Sequence, residues 1–577
     1  MSGDPSLSMP PEGGLDGLNA TVKAALVPET IWETLQDFSF LALELKLVLS
    51  ALGIIYVGAH AALRRPPSAA PPKAKRNGQK PEKEEHFSQG LELSDAIMFP
   101  LMAGIMLVGL YYLIQYLQDP EILNKILRWY LSTMSILSLL TLYTHGFQLV
   151  SSFIFPHYWR GKDGKLRRAD QKARAVRVCD DAGNLVEASN ANSSPLPWPL
   201  SILAPTASAR KAAWDIRSLA VQQWTFKFYA HGFGDVTTKI QLSHMMAFVA
   251  AVGTAIAYTS TMSPFLSNIL GYGLCYGTFM LLSPTNLMTG TFVMIGLFFY
   301  DIIMVFYTPY MVTVATKLDV PIKLTFEAAE RKSILGLGDI VLPGIVMAFA
   351  LRLDLWLHYQ RKIKYEPTEL KLIEKDASGA LVTRSETKYR EIKMPYIDVK
   401  NRWADRFWSQ SWLSFRPSNA PLELAGSRFT KTYFTASLVG YSLGMGVTLA
   451  MLLIFRHGQP ALLYLVPGVL GSIYLTALVR GELKLIWGYT EDGSLDTKDV
   501  IVDVDGDGRA VKTLGKLENG VVNTTIDISN PTQDDTHKGK SENKSSEKGN
   551  EKTEQAKKKA HPVLLISLEA PAEEPEQ

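Results

Sequence analysis

The stretch FFYDIIMVFY, residues 298–307, sets one carboxylate, Asp301, near the middle of an apolar run from about Thr291 to Val314. A hydrocarbon core takes roughly 20 apolar residues per helical span, so the run reads as a membrane helix. An acid at mid-membrane costs about 2.5–3.5 kcal/mol on insertion scales and is kept where it faces a partner or water. Working outward, runs of similar length recur at about 43–63, 96–117, 128–150, 243–260, 265–284, 334–352, 432–455 and 460–480. With 291–312 they predict an all-α polytopic membrane protein of about nine transmembrane helices. The averages hide this: 47% hydrophobic residues, 20% charged, and a mean hydropathy of +0.05 mix long apolar runs with highly charged segments. Cys179 sits in a basic segment and Cys275 in an apolar run, so a disulfide framework and a cysteine metal site are not expected.

The connecting segments suggest an orientation. Residues 64–94 carry seven Lys/Arg, and 156–242 and 353–431 are basic too; nine spans put all three on one side. Basic loops stay cytoplasmic, so the N-terminus is expected in the lumen and the C-terminus in the cytosol, with Asn19 as the sequon open to glycosylation. The sequons at Asn192, Asn523 and Asn543 would be cytosolic. The chain then divides into a luminal segment 1–42, membrane helices with basic loops over 43–260, three central helices in 261–352, an insert 353–431, two last helices in 432–485 and a cytosolic tail 486–577. From about residue 529 the tail has almost no apolar residues and is expected to be disordered. The insert contains NRWADRFWSQSWLSF, residues 401–415, which lies either on the membrane face or against the protein's own cytoplasmic surface. DVDGDG, Asp503–Gly508, starts like a calcium loop, but its twelfth position is Leu514 where a bidentate Glu is required, so it reads as a turn.

Asp301 has a candidate partner in SILGLGDIVLPGIVMAFALRLD, residues 333–354, where Asp339 enters the next run one to two turns from its start. Gly336 and Gly338 strip side chains from the approach. Pro343 lacks an N–H, so the carbonyl of Asp339 loses its helical donor, a cost in lipid unless the site is buried or wet. A further break is HGQPALLYLVPG, residues 457–468, where Gly458, Pro460 and Pro467 free backbone groups. Two adjacent carboxyls share a proton, the arrangement of an aspartic protease, with no metal or cofactor required. Paired intramembrane acids also serve ion or proton pathways in channels and carriers, and the spacing alone leaves both readings open.

Taken together, the YD at Tyr300–Asp301, the GLGD at Gly336–Asp339 and the QPAL at Gln459–Leu462 resemble the three signatures of the presenilin-type intramembrane aspartyl proteases. The longer stretches around the first two are similar to the signal peptide peptidase branch, and the likeness covers about 245–352 and 432–485. The resemblance implies a presenilin-like fold and cleavage of remnant signal peptides and type II transmembrane segments in the endoplasmic reticulum membrane. It implies Asp301 and Asp339 as the catalytic pair, and Tyr300, Gly336 and Gly338 as residues shaping the site. Gln459, Pro460, Ala461 and Leu462 would complete the active site and hold substrate backbone as an added strand. It further implies lipid contact and a homo-oligomer, with no nucleic-acid partner. The sequence closes on EAPAEEPEQ rather than on the dilysine-type signal frequent in the family, and the insert between the seventh and eighth spans is longer than the likeness implies.

Overall fold

A computed structural model of the chain describes residues 38–71, 89–409, 426–523 and 564–569, apart from short interruptions within those ranges. The sequons at Asn19, Asn192 and Asn543, most of the tail beyond 529 and part of the tryptophan-rich insert lie outside the described residues.

In chain order, α1 (Phe38–Ala61) is followed by the short strand β1 (Gln89–Leu91) and by α2 (Asp95–Leu117) and α3 (Pro120–Ile154). A four-stranded antiparallel sheet comes next: β2 (Tyr158–Arg160), β3 (Leu166–Asp170), β4 (Ala175–Cys179) and β5 (Leu185–Asn190). Then come α4 (Ala207–Val221), the hairpin β6 (Trp224–Ala230) and β7 (Gly234–Ile240), α5 (Leu242–Thr261), α6 (Pro264–Leu281) and β8 (Leu282–Pro284). The central part is α7 (Leu287–Ile302), a π-helical turn at Ile303–Tyr307, α8 (Tyr310–Lys317), the hairpin β9 (Lys323–Ala328) and β10 (Arg331–Gly336), and α9 (Leu337–Gln360). The remainder is β11 (Lys364–Lys375), β12 (Leu381–Ile392), α10 (Trp403–Ser409), α11 (Thr432–Phe455), α12 (Leu462–Arg480), α13 (Leu483–Trp487), β13 (Val500–Val504), β14 (Ala510–Glu518), β15 (Val521–Asn523) and β16 (Leu564–Glu569).

Eight helices among the described residues are long and apolar enough to cross a membrane: α1, α2, α3, α5, α7 with its π turn, α9, α11 and α12. The chain is a multi-pass membrane protein. The ninth expected span, 265–284, is α6, which falls outside that set because glycines, tyrosines and Asn268 dilute its hydropathy. The composition has a structural cause. α6 packs against α1, α3 and α9, and a Cβ on Gly273 would lie 2.8 Å from the Leu139 side chain of α3. Small residues let membrane helices approach closely, so α6 is a packed interior helix with little lipid-facing surface.

At the centre stands α9, with 89% of its apolar window buried, against 6% for α2. It touches α1, α6, α7, α11 and α12. The expected span 334–352 is displaced towards the C-terminus: Arg331–Gly336 pair as a strand with Lys323–Ala328, and the helix runs on to Gln360. The extension brings Asp354 inside the helix beside Arg352, the last residue of the expected span, and both are buried. Asp354 accepts hydrogen bonds from the backbone N–H groups of Tyr433 (3.1 Å) and Phe434 (2.9 Å), satisfying orphan donors at the start of α11. Arg352 meets Glu491 at 2.8 Å; Arg64, Ser283 and Tyr489 complete that cluster. It ties together the ends of α1 and α6, the second half of α9 and the segment after α12 on one face of the bundle.

The basic segments carry β-structure on that same side, which the sequence reading did not anticipate. Of the two settings left open for the tryptophan-rich insert, the described part takes the second. Asp405 accepts from the backbone N–H of His157 at 2.7 Å, the Trp408 indole N–H donates to the carbonyl of Phe153 at 3.0 Å, and Trp403 stacks edge-on against His60.

Candidate active site

Asp301 is the second-last residue of α7, a helix opened by Asn286, whose side chain accepts the N–H of Thr289 at 2.7 Å. Beyond it the helix loosens into the π turn and breaks at Pro309. Asp339 lies in the first turn of α9, nearer the helix start than the sequence suggested, because residues 331–336 are a strand. The two helices that carry the acids pack together. Asp301 is buried and Asp339 is half-buried.

The third motif meets the first. The backbone N–H of Leu462 donates to Asp301 Oδ2 at 3.0 Å. Pro460 breaks the chain, so α12 starts just here with Ala461 as its N-cap. The N–H of a first helical residue has no partner within its own helix, and the helix N-terminus carries partial positive charge that favours an anion. Gln459 accepts a long hydrogen bond, 3.4 Å, from the Tyr464 hydroxyl. Tyr300 is half-buried against the core and lies beside Gly104 of α2.

The gap opened by Pro343 is filled from another helix. The Tyr441 hydroxyl, on α11, reaches the carbonyl oxygen of Asp339 at 3.4 Å, in the place where residue 343 would have donated. α9 therefore continues through its proline, and Tyr441 is a site residue that the sequence reading missed. Its only signal there is a phenol inside an apolar run. Asn268 is a second such residue. Its side-chain amide donates to the carbonyl of Thr325 and accepts the N–H of Thr325, both at 2.8 Å, holding the β9–β10 hairpin to α6. Since Leu337 N–H donates to the carbonyl of Ile322 at 3.0 Å, that hairpin fixes where α9 begins and so where Asp339 stands. The two motif glycines differ in setting. A Cβ on Gly336 would stand 3.3 Å from Asp339 Oδ2, whereas one on Gly338 would meet nothing within 4 Å.

Two acids from neighbouring membrane helices, one buried and one half-buried, with a helix N-terminus donating to the first, make a candidate site in a helical membrane protein. Sequence comparison specifies the family. The signal peptide peptidase family profile matches residues 82–493, and the chain belongs to that family. It is 28% identical over 310 residues to a probable intramembrane protease of Saccharomyces cerevisiae, covering 51% of this chain and 42% of that protein. Against a probable intramembrane protease of Schizosaccharomyces pombe it is 30% identical over 260 residues, 44% of this chain and 67% of the relative. Against the signal peptide peptidase of Homo sapiens it is 30% identical over 261 residues, 44% and 51% respectively. The matched stretches thus span between two fifths and two thirds of these relatives' lengths. No solved structure matches the chain.

Proposed function

We propose that this protein is an intramembrane aspartyl endopeptidase that cleaves remnant signal peptides and type II transmembrane segments within the endoplasmic reticulum membrane. The observation that supports the reading is that the helices carrying the first two motifs pack together while the Leu462 N–H of the third donates to Asp301 of the first. One carboxylate takes a proton from water as the water attacks the scissile carbonyl; the other carboxyl gives its proton to the carbonyl oxygen, and the roles reverse as the amine leaves. With Oδ2 of Asp301 held by Leu462, Oδ1 is left for the reacting water. The substrate helix must open first, because a helical peptide bond is shielded by its own hydrogen bonds.

The reading extends to orientation. Asp339 and Leu462 lie at the helix ends remote from the Glu491 cluster and the basic segments. If the basic side is cytosolic, the N-terminus is luminal, the C-terminus cytosolic, and the acids lie in the luminal half of the membrane. That orientation suits type II segments.

The test is cleavage of a short type II signal-peptide substrate by the purified protein in detergent. Asp301→Ala and Asp339→Ala, each checked for intact folding, are expected to be inactive. Cleavage by either variant, or no cleavage by the wild type across several such substrates, sinks the proposal; ion flux through the wild type in vesicles would then support the channel or carrier reading.

A further inference from the structure

A second feature lies outside the acids. The segment Leu564–Glu569 returns across the sequence to pair antiparallel with β6, giving a three-stranded sheet in the order β16–β6–β7. Among the described residues no other element makes more than marginal contact with this sheet. Residues opposite one another on paired strands share a face. Phe226 stands opposite Leu568, Phe228 opposite Ile566, and Trp224 opposite Ile240. The alternate positions are Thr225, Lys227, Thr237, Lys239, Ser567 and Glu569, with Lys227 Nζ 2.7 Å from a Glu569 carboxylate oxygen. One face is thus mainly apolar and aromatic, with Thr238 opposite Phe226, the other polar and charged, and on the apolar face Ile566 is 61% and Leu568 58% exposed.

A sheet with one apolar face packs that face on something. The chain connectivity says what. β7 ends at Ile240, and Gln241 alone separates it from α5, a membrane-crossing helix whose first turns expose Met245, Met246, Phe248 and Val249. One residue of chain thus separates the sheet from those exposed side chains. Trp224, paired with Ile240, stands where the chain enters the membrane, the depth at which tryptophan is enriched. We propose that the apolar face of the β16–β6–β7 sheet lies on the lipid–water interface beside α5, and that Leu564–Glu569, by completing the sheet, is held at the membrane surface. This does not depend on the proteolytic reading.

The experiment uses the full chain in phosphatidylcholine vesicles. Both native cysteines are buried, so single cysteines can carry an environment-sensitive fluorophore. Labels at Ile566→Cys and Leu568→Cys are expected to be blue-shifted and quenched by nitroxide-bearing lipid several-fold more than labels at Ser567→Cys and Thr237→Cys, which an aqueous quencher should reach instead. In the same membranes, Lys227→Cys with Ser567→Cys, an opposed pair in the register, should crosslink within one chain. Equal quenching at all four sites overturns the proposal. So does a blue shift without lipid quenching, which means that protein, including a second copy, covers the face. Absence of the crosslink overturns it as well, because the strand is then not docked.

Discussion

Removing the hydroxyl of Tyr441 tests the account of how α9 survives its proline. The ring is fully buried, and phenylalanine fills the same space apart from one oxygen. What is lost is a donor 3.4 Å from the carbonyl of Asp339, whose helical donor is already absent at Pro343. A buried carbonyl left unsatisfied costs about 1–3 kcal/mol, and the length of this bond places the effect near the lower end, about 1 kcal/mol. If the same loss reaches the transition state, because the first turn of α9 carries Asp339, kcat falls roughly fivefold. KM should not change, since the hydroxyl touches the helix. The decisive variant is Pro343→Ala, which restores an N–H four residues after Asp339. In that background Tyr441→Phe should cost little, giving a coupling of about 1 kcal/mol in a double-mutant cycle. The readouts are thermal unfolding in detergent and cleavage kinetics on a type II peptide. Additive effects, or a neutral Tyr441→Phe in the wild-type background, would refute the reasoning.

The two motif glycines should separate. Gly336→Ala keeps a backbone any residue can adopt, φ −64° and ψ 139°, but its methyl crowds Asp339 Oδ2, so the protein should fold and lose activity. Gly338→Ala meets no atom within 4 Å and should leave unfolding unchanged, any loss of cleavage appearing in KM. Gly440→Ala would set a Cβ 2.2 Å from the carbonyl oxygen of Gly468. It should push α11 from α12 and cost about 1–3 kcal/mol, read as a lower melting temperature. Glu491→Gln leaves Arg352, whose side chain is 3% exposed, without its counter-charge, and should cost about 3–5 kcal/mol. Burial pushes the Glu491 carboxyl up, but the Arg352 and Arg64 guanidinium groups outweigh it and hold it below its ordinary value of 4.5. Its contribution should therefore be complete above about pH 4.5 and be lost only as pH falls through the lower folded value. A melting temperature in Glu491→Gln that matches the wild type at neutral pH would contradict this.

The membrane class and the spans were legible in the sequence, and Asp301 and Asp339 could be picked out as candidates, because each is local: a run of apolar residues has a length, and an acid inside it violates the composition of its neighbours. Proline and glycine likewise announce free backbone at Pro343 and Pro460. What those groups do with their freedom is not local. The carbonyl of Asp339 is met by Tyr441, 102 residues on, and the N–H of Leu462 by Asp301, 161 residues back. Neither pairing leaves a mark on spacing or periodicity. α6 is less apolar than the other spans because a helix packed among helices has no need of uniform hydropathy. Asp354 lies beyond the expected span 334–352 and Arg352 at its last position; their partners, the start of α11 and Glu491, are what make their burial tolerable. The two-faced sheet beside α5 exists because β16 pairs with β6 across more than three hundred residues of chain. Composition decides that this protein enters the membrane; the long-range hydrogen bonds, each satisfying a group that lipid would not, decide where its two acids stand.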